Sequence, residues 1–208
     1  MKNATKHADS LKSLFKKMKK EHSPSERQTY EPLKALVRAV MSYDVPDSRA
    51  EEAMVAIERE YVDLNELRVA TELEMQDMLG SRYPDIEKRV SLITTALNAI
   101  FEKESTLSLE RLKTISKRDA RQFLRDLAGM NPFTEAYVMT FAFEGNCVPL
   151  DHNMAEYLKD HDAADSESSI EEIQKFLEHN LKSEECYEFY STLRHATAAH
   201  EPKKKKSK

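Results

Sequence analysis

The clearest order in this sequence is a helical alternation of apolar and polar positions. Ile86, Val90, Ile93, Leu97 and Ile100 follow one another at intervals of four, three, four and three, which lines one side of an α-helix with apolar side chains. Leu33, Leu36, Val37, Val40 and Met41 repeat the pattern after Pro32, and a proline in a first helical turn forfeits no hydrogen bond. Ala50, Ala53, Met54 and Ile57 predict a further helix after the break at Val45-Pro46-Asp47, and two short helices follow over Leu64–Ala70 and Leu73–Leu79, ending at Gly80. Upstream, Leu11, Leu14, Phe15 and Met18 give a narrow apolar edge to a very basic helix over Asp9–Lys20, which Ser23-Pro24-Ser25 ends. Downstream, Leu107–Ile115 and Asp119–Leu127 read as short helices, and a helix carrying Ala136, Val138 and Phe141 closes at Gly145. Val148-Pro149-Leu150 is extended, and Asp151 stands as the N-cap of a helix with Met154 and Leu158 inward. Ser168 and Glu171 have the spacing of a capping box ahead of Ile170, Ile173, Phe176, Leu177 and Leu181, and a last helix is expected from Ser183 to Ala199. These patterns predict an all-α fold.

Composition narrows the function classes. The 208 residues suffice for one compact domain or two small lobes. Three glycines exclude a P-loop or a dinucleotide fingerprint, where clustered glycines let backbone meet phosphate. They also argue against a sandwich built on glycine turns. No apolar run approaches the length that spans a bilayer, and the lysine-rich start lacks the apolar core of a signal peptide. Two cysteines, Cys147 and Cys186, give no disulfide framework and no zinc motif, so a reducing, intracellular setting is expected. His161, Asp162 and Asp165 lack the glycine and acid spacing of a calcium loop and read as a solvated turn.

Charge is distributed unevenly. Residues 1–20 hold seven lysines against Asp9, and Glu201–Lys208 hold five against one glutamate, which leaves a net −15 for the residues between, since the whole chain carries −5. Such ends are either solvated termini or arms with salt-sensitive, sequence-independent attraction for nucleic acid. Within the acidic body, Arg111, Lys113, Lys117, Arg118, Arg121 and Arg125 cluster just before Leu127-Ala128-Gly129-Met130-Asn131-Pro132-Phe133-Thr134-Glu135-Ala136. Two helices joined through a glycine turn aim backbone N–H groups outward at the start of the second, a terminus able to hold a phosphate without reading a base. Asn131 is placed to cap it and Pro132 to open it.

That hairpin, followed by Val148-Pro149-Leu150-Asp151, resembles the helix-hairpin-helix DNA glycosylase superfamily, in the branch of endonuclease III and adenine-DNA glycosylase. Leu36-Val37-Arg38-Ala39-Val40-Met41-Ser42-Tyr43-Asp44 is similar to that family's first-helix signature, and Gly80 with Tyr83 to its Gly-Leu-Tyr turn. The likeness covers about residues 30–195. It implies two helical lobes, lobe A over about 45–144 and lobe B from 29–44 plus 145–200, with a basic arm at 1–28 and a basic disordered tail at 201–208. It further implies double-stranded, damaged DNA as partner, with a nucleotide flipped into a pocket between the lobes. Asp151 would then be the catalytic carboxylate, stabilising the cationic sugar or orienting water as the N-glycosidic bond breaks. DNA contacts would come from Gly129, Met130, Asn131, Phe133, Thr134, Lys117, Arg118, Arg121 and Arg125. Ser42, Tyr43, Asp44, Ser81, Arg82 and His152 would line the pocket or wedge the stack.

The departures are as specific. The family's Schiff-base lysine falls at Phe133, so strand-cleaving lyase activity is not expected and an active protein would be monofunctional. The second hairpin glycine is Asn131, which enters the left-handed conformation less freely. The wedge glutamine aligns with Asp44, a carboxylate unsuited to a base stack. The iron–sulfur loop is missing, so the expected cofactor is none, beyond a monovalent cation at the hairpin. Residue by residue, a plain helix cap is the alternative for Asp151, whereas Phe133, Phe141 and Phe143 read as core before base-stacking platforms and Tyr43 as a half-buried packing residue before a pocket wall. The expected function is a DNA N-glycosylase for a damaged or mismatched base. The alternative is a catalytically degenerate relative that binds DNA or a protein partner without chemistry, and a third reading is an acidic helical interaction module. A monomer with no membrane association is expected, cytoplasmic and nucleoid-associated if the source is bacterial.

Overall fold

A computed structural model describes residues 4–198. Among these residues the chain forms eleven α-helices and two 3₁₀ turns, with no strand. The helices are α1 (Ala4–Glu21), α2 (Pro32–Ser42), α3 (Asp47–Glu60), α4 (Leu64–Val69), α5 (Glu72–Leu79), α6 (Ile86–Glu104), α7 (Lys117–Arg125), α8 (Pro132–Ala142), α9 (His152–Asp160), α10 (Ile170–Asn180) and α11 (Cys186–Ala198). No helix is long and apolar enough to cross a membrane among the described residues. The expected tail at 201–208 lies outside them.

The helices divide into two units. Thr29–Gly145 make one, and the residues up to Gln28 join those from Asn146 onward to make the other. This differs from the division expected from sequence at two places. Residues 29–44 belong with the middle of the chain, and residues 4–21 are a helix seated in the second unit rather than a free arm.

The middle unit is built round α2. Its Leu36, Val37, Ala39 and Met41 are fully buried because α3, α6 and α8 all pack against it. Glu31 caps its start, accepting from the N–H groups of Leu33 and Lys34. The stripe Ile86, Val90, Ile93, Leu97 and Ile100 of α6 is buried as its period predicts. Arg89 of the same helix is buried too. Its guanidinium donates to the carbonyls of Pro84, Val40 and Tyr43, the last at 2.7 Å. The carbonyls at a helix C-terminus have no partner within the helix, and Arg89 supplies one at the end of α2. Burial lowers its pKa from the ordinary value.

The second unit joins α1 to the helices after residue 146. Leu11, Leu14, Phe15 and Met18 are buried where α1 packs on α11, with Phe15 edge-on to Phe189 at 5.2 Å between centroids. His7 extends the buried face by one turn, its Nδ1 2.7 Å from the carbonyl of Asp162. The capping box ahead of α10 uses Ser169 and Glu172, one residue later than the sequence pairing of Ser168 with Glu171. Ser168 is buried, with its N–H bonded to the Asp165 carbonyl.

Candidate functional site

The hairpin between α7 and α8 forms as the sequence leads one to expect, with one change in who does what. Ser116 caps α7, and Asn131 caps α8 by accepting the Thr134 N–H at 2.9 Å. Asn131 sits at φ −128°, ordinary extended backbone, so it carries none of the left-handed burden foreseen for it. Gly129 carries that burden alone, at φ +80°. It also lies so close to α6 that a Cβ would stand 2.9 Å from the Leu92 carbonyl oxygen. The single hairpin glycine is therefore fixed twice, by conformation and by proximity. At the far end of α8, Glu144 takes the left-handed turn instead, and Gly145 donates back to the Met139 carbonyl at 2.7 Å.

The basic cluster divides in two. Lys117 and Arg118 are exposed at the start of α7, with Lys117 Nζ 2.6 Å from the Glu144 carbonyl oxygen. Arg121 and Arg125 instead turn onto Glu135, whose side chain is 3% exposed. Arg121 pairs with one carboxylate oxygen, and Arg125 Nε donates to the other at 2.7 Å. The reading of Arg121 and Arg125 as DNA contacts thus meets an internal competitor. Sequence reasoning passed over Glu135, although a lone acid in the apolar run from Pro132 to Ala142 signals a charged partner.

Phe133 and Thr134 also have other roles than surface contact. Both side chains are buried, Phe133 at 2% exposure and Thr134 at 0%. Phe133 meets Tyr43 edge-on at 5.3 Å and Tyr137 at 5.8 Å, and Tyr137 stacks on Phe141 at 4.2 Å. This aromatic ladder fills the surroundings of the position where the resemblance has its lysine. Burial raises the pKa of the Tyr137 phenol. Ser42 is buried with its hydroxyl donating to Ala39, Tyr43 is half-buried, and Asp44 adopts φ +52° after α2. Ser81 and Arg82 are exposed and line an open hollow of about 840 Å³ with Arg49, Glu52 and Tyr83. Met130 is half-buried at the turn.

Asp151 is fully buried at the start of α9. One carboxylate oxygen accepts the Met154 N–H at 2.8 Å, and the other accepts from Arg194 Nη1 of α11 at 2.7 Å. Arg194 is itself nearly buried, its side chain 10% exposed. The neighbouring His152 is exposed. Arg194 is the second residue that the sequence pattern did not single out, although a lone arginine among Phe189, Tyr190, Leu193 and Ala196 needs a counter-charge in the core. Among the described residues no three His, Cys, Asp or Glu side chains converge as metal ligands would.

No protein-family model and no curated protein matches this chain in sequence. Solved structures do match it in shape. A non-covalent endonuclease III–DNA complex superposes with a TM-score of 0.73 at 15% identity, covering 93% of this chain and 86% of its own. The fold is that of the helix-hairpin-helix DNA glycosylases. An 8-oxoguanine glycosylase/lyase from Clostridium acetobutylicum, solved with double-stranded DNA, matches with a TM-score of 0.71 at 15% identity over 95% of this chain and 71% of its own. A thermostable thymine-DNA glycosylase matches at 0.66, with 11% identity over 95% and 90% of the two chains. In this chain the hairpin forms round Gly129, whereas the two positions that the resemblance ties to chemistry hold a buried phenylalanine and an arginine-paired aspartate.

Proposed function

We propose that this protein binds duplex DNA through the face carrying the α7–α8 hairpin and leaves its bases attached. The observation that carries the proposal is the pairing of Asp151 with Arg194. Excision by hydrolysis asks a carboxylate to meet the positive charge that develops on the sugar. Both Asp151 oxygens are engaged, one by a helix N–H and one by a guanidinium, so its charge is compensated before any substrate arrives. The covalent route lacks its amine, because Phe133 is a buried hydrocarbon ring. Binding is supported separately. Lys117 and Arg118 stand exposed at the start of α7, where Lys117 also reaches the Glu144 carbonyl just past α8. The glycine turn at the other end of the hairpin leads into the positive start of α8, and both features suit phosphates and are indifferent to sequence. The fold's relatives include endonuclease III and 8-oxoguanine glycosylase/lyase structures solved with DNA.

One observation favours the alternative, excision without lyase activity: Asp151 follows the hairpin at the separation and helix position that the resemblance assigns to the catalytic carboxylate. A single experiment separates the two. The protein is incubated with duplexes carrying uracil, oxidised pyrimidine, alkylated purine or mismatched adenine, and abasic sites are revealed with alkali while binding is followed in parallel. The expected result is salt-dependent binding of intact and lesion duplexes alike with no strand breaks. Base release that disappears in Asp151→Asn would establish the glycosylase instead.

A further inference from the structure

A dense run of positive charge lies on α1, in the unit that does not carry the hairpin. This helix carries Lys6, Lys12, Lys16, Lys17, Lys19 and Lys20 against Asp9 and Glu21, and every one of the six lysines is exposed. The rest of its unit opposes it in sign: residues 146–198 hold twelve acidic side chains and four basic ones. Few of those acids reach the lysines. Glu188 lies 3.5 Å from Lys19, while Lys17 lies 3.9 Å from Glu21 of α1 itself. Lys12, Lys16 and Lys20 have no hydrogen-bond or ion-pair partner among the described residues.

We infer that the lysine face of α1 is a second DNA-backbone site, a straight ridge of Lys12, Lys16 and Lys20 that binds phosphates of duplex DNA without reading its sequence. Three arguments support it. First, the geometry suits a regular polyanion. At 100° per residue the three lysines centre about 155° round the axis from the buried face of His7, Leu11, Leu14, Phe15 and Met18, and at 1.5 Å per residue they are spaced about 6 Å apart. Phosphates of one B-DNA strand advance about 3.4 Å each along the duplex axis while turning about 36° round it, which sets neighbours about 7 Å apart, so the ridge keeps close step with consecutive phosphates. Second, like charges at i and i+4 destabilise a helix, and Lys12, Lys16 and Lys20 stack two such pairs in register. Local rules are broken in this way where a surface has work to do. Third, the partner is not a membrane. A helix that lies on a bilayer inserts an apolar face, and that face of α1 is already buried with Phe15 against Phe189. The acidic remainder of the unit then confines attraction to this one ridge and steers the approach of the duplex.

The inference rests on the duplex-binding reading for its class of ligand but not on the hairpin, and the test keeps them apart. Binding of a fluorescent 20-base-pair duplex is measured by anisotropy between 50 and 200 mM salt for the full chain, for K12Q/K16Q/K20Q and for K117Q/R118Q. Thermal melts confirm that the exposed substitutions leave the fold intact. If each lysine displaces one counterion, the α1 variant binds more weakly and its log–log salt slope falls by about 2–3. Loss in the α1 variant with none in K117Q/R118Q upholds the ridge and removes the hairpin as the contact. An α1 variant with wild-type affinity and slope overturns the inference, whatever the hairpin variant does. Wild-type protein that ignores DNA, or that binds phosphatidylserine vesicles in its place, overturns it as well.

Discussion

Replacing Arg194 by methionine tests what holds Asp151. The substitution keeps most of the side chain's volume and removes the charge, stranding a carboxylate that is fully buried and whose partner was 2.7 Å away. Removing one member of a buried pair typically costs about 3–5 kcal/mol, since the remaining charge has neither water nor a counter-ion. The value should fall within that range because Asp151 is 0% exposed and its remaining bond to the Met154 N–H compensates only part of the charge. For a chain of this length about 1 kcal/mol moves the melting temperature by about 2–4 °C, so R194M should melt about 6–20 °C lower. Asp151→Asn retains a good capping side chain and strands Arg194, which keeps a little access to water, so its cost is smaller. The double variant R194M/D151N removes both charges together and recovers at least about 2 kcal/mol relative to the sum of the single costs. Urea melts followed by far-ultraviolet circular dichroism provide all four corners of the cycle. A cost below about 1 kcal/mol for R194M, or single costs that simply add, would refute the claim that the carboxylate is committed to the core, and with it the main argument against catalysis.

Gly129→Ala should lose more than about 2 kcal/mol in the same melts, because left-handed backbone costs a residue with a Cβ about 1–2 kcal/mol and that Cβ would stand 2.9 Å from the Leu92 carbonyl oxygen; a loss of a few tenths would show that the turn can move. Glu135→Gln should cost about 2–3 kcal/mol through weakened bonds to Arg121 and Arg125, and at the same time steepen the salt slope of DNA binding by up to about 2 as those arginines become available to phosphate; an unchanged slope would mean that they do not face the duplex. Burial, followed by the nearby Glu178, pushes the Cys186 thiol up to about 11. Its alkylation by iodoacetamide in the folded protein should therefore stay slow through pH 9 and rise only toward pH 11. Because the folded pKa lies above that of the unfolded chain, the stability owed to the protonated thiol is complete below about pH 9 and is lost as pH climbs toward 11.

The helices were legible wherever one face is apolar and the other polar. The α6 stripe from Ile86 to Ile100 needed nothing but its period, and the Pro32 start of α2 nothing but the chemistry of proline. Grouping the helices was not legible, because periodicity says that a face is buried and not which helix covers it. The narrow apolar edge of α1 looked like an arm until α11 supplied Phe189 and its neighbours as a seat. The candidate site divides along the same line. The glycine turn and the Asn131 cap are local features and could be read from neighbours in sequence. Glu135 with Arg121 and Arg125 is nearly local, spanning ten to fourteen positions, and a lone acid in an apolar helix was the available sign. Asp151 with Arg194 spans forty-three positions, and only the packing of α11 against α9 brings them together. The family's pattern has a glycine where this chain has Asn131, yet within the turn it is Gly129 that takes the left-handed backbone, and Asn131 stays extended.

The two-part make-up of the second unit has a consequence for how the chain is born. Its first helix is finished by residue 21, yet the surface on which Leu11, Phe15 and Met18 rest is not complete until α11 ends at residue 198. At 5–20 residues per second, synthesis of the intervening stretch takes about 10–35 s. The whole middle unit from Thr29 to Gly145 is made within that interval and can collapse on its own core first. Until then the nascent chain displays an unseated apolar stripe beside six lysines, a combination that attracts both holdase chaperones and the polyanionic ribosome from which it emerges. Slow codons or a pause in the second half of the message would lengthen that exposure, so the yield of folded protein depends on the pace at which its last third is read.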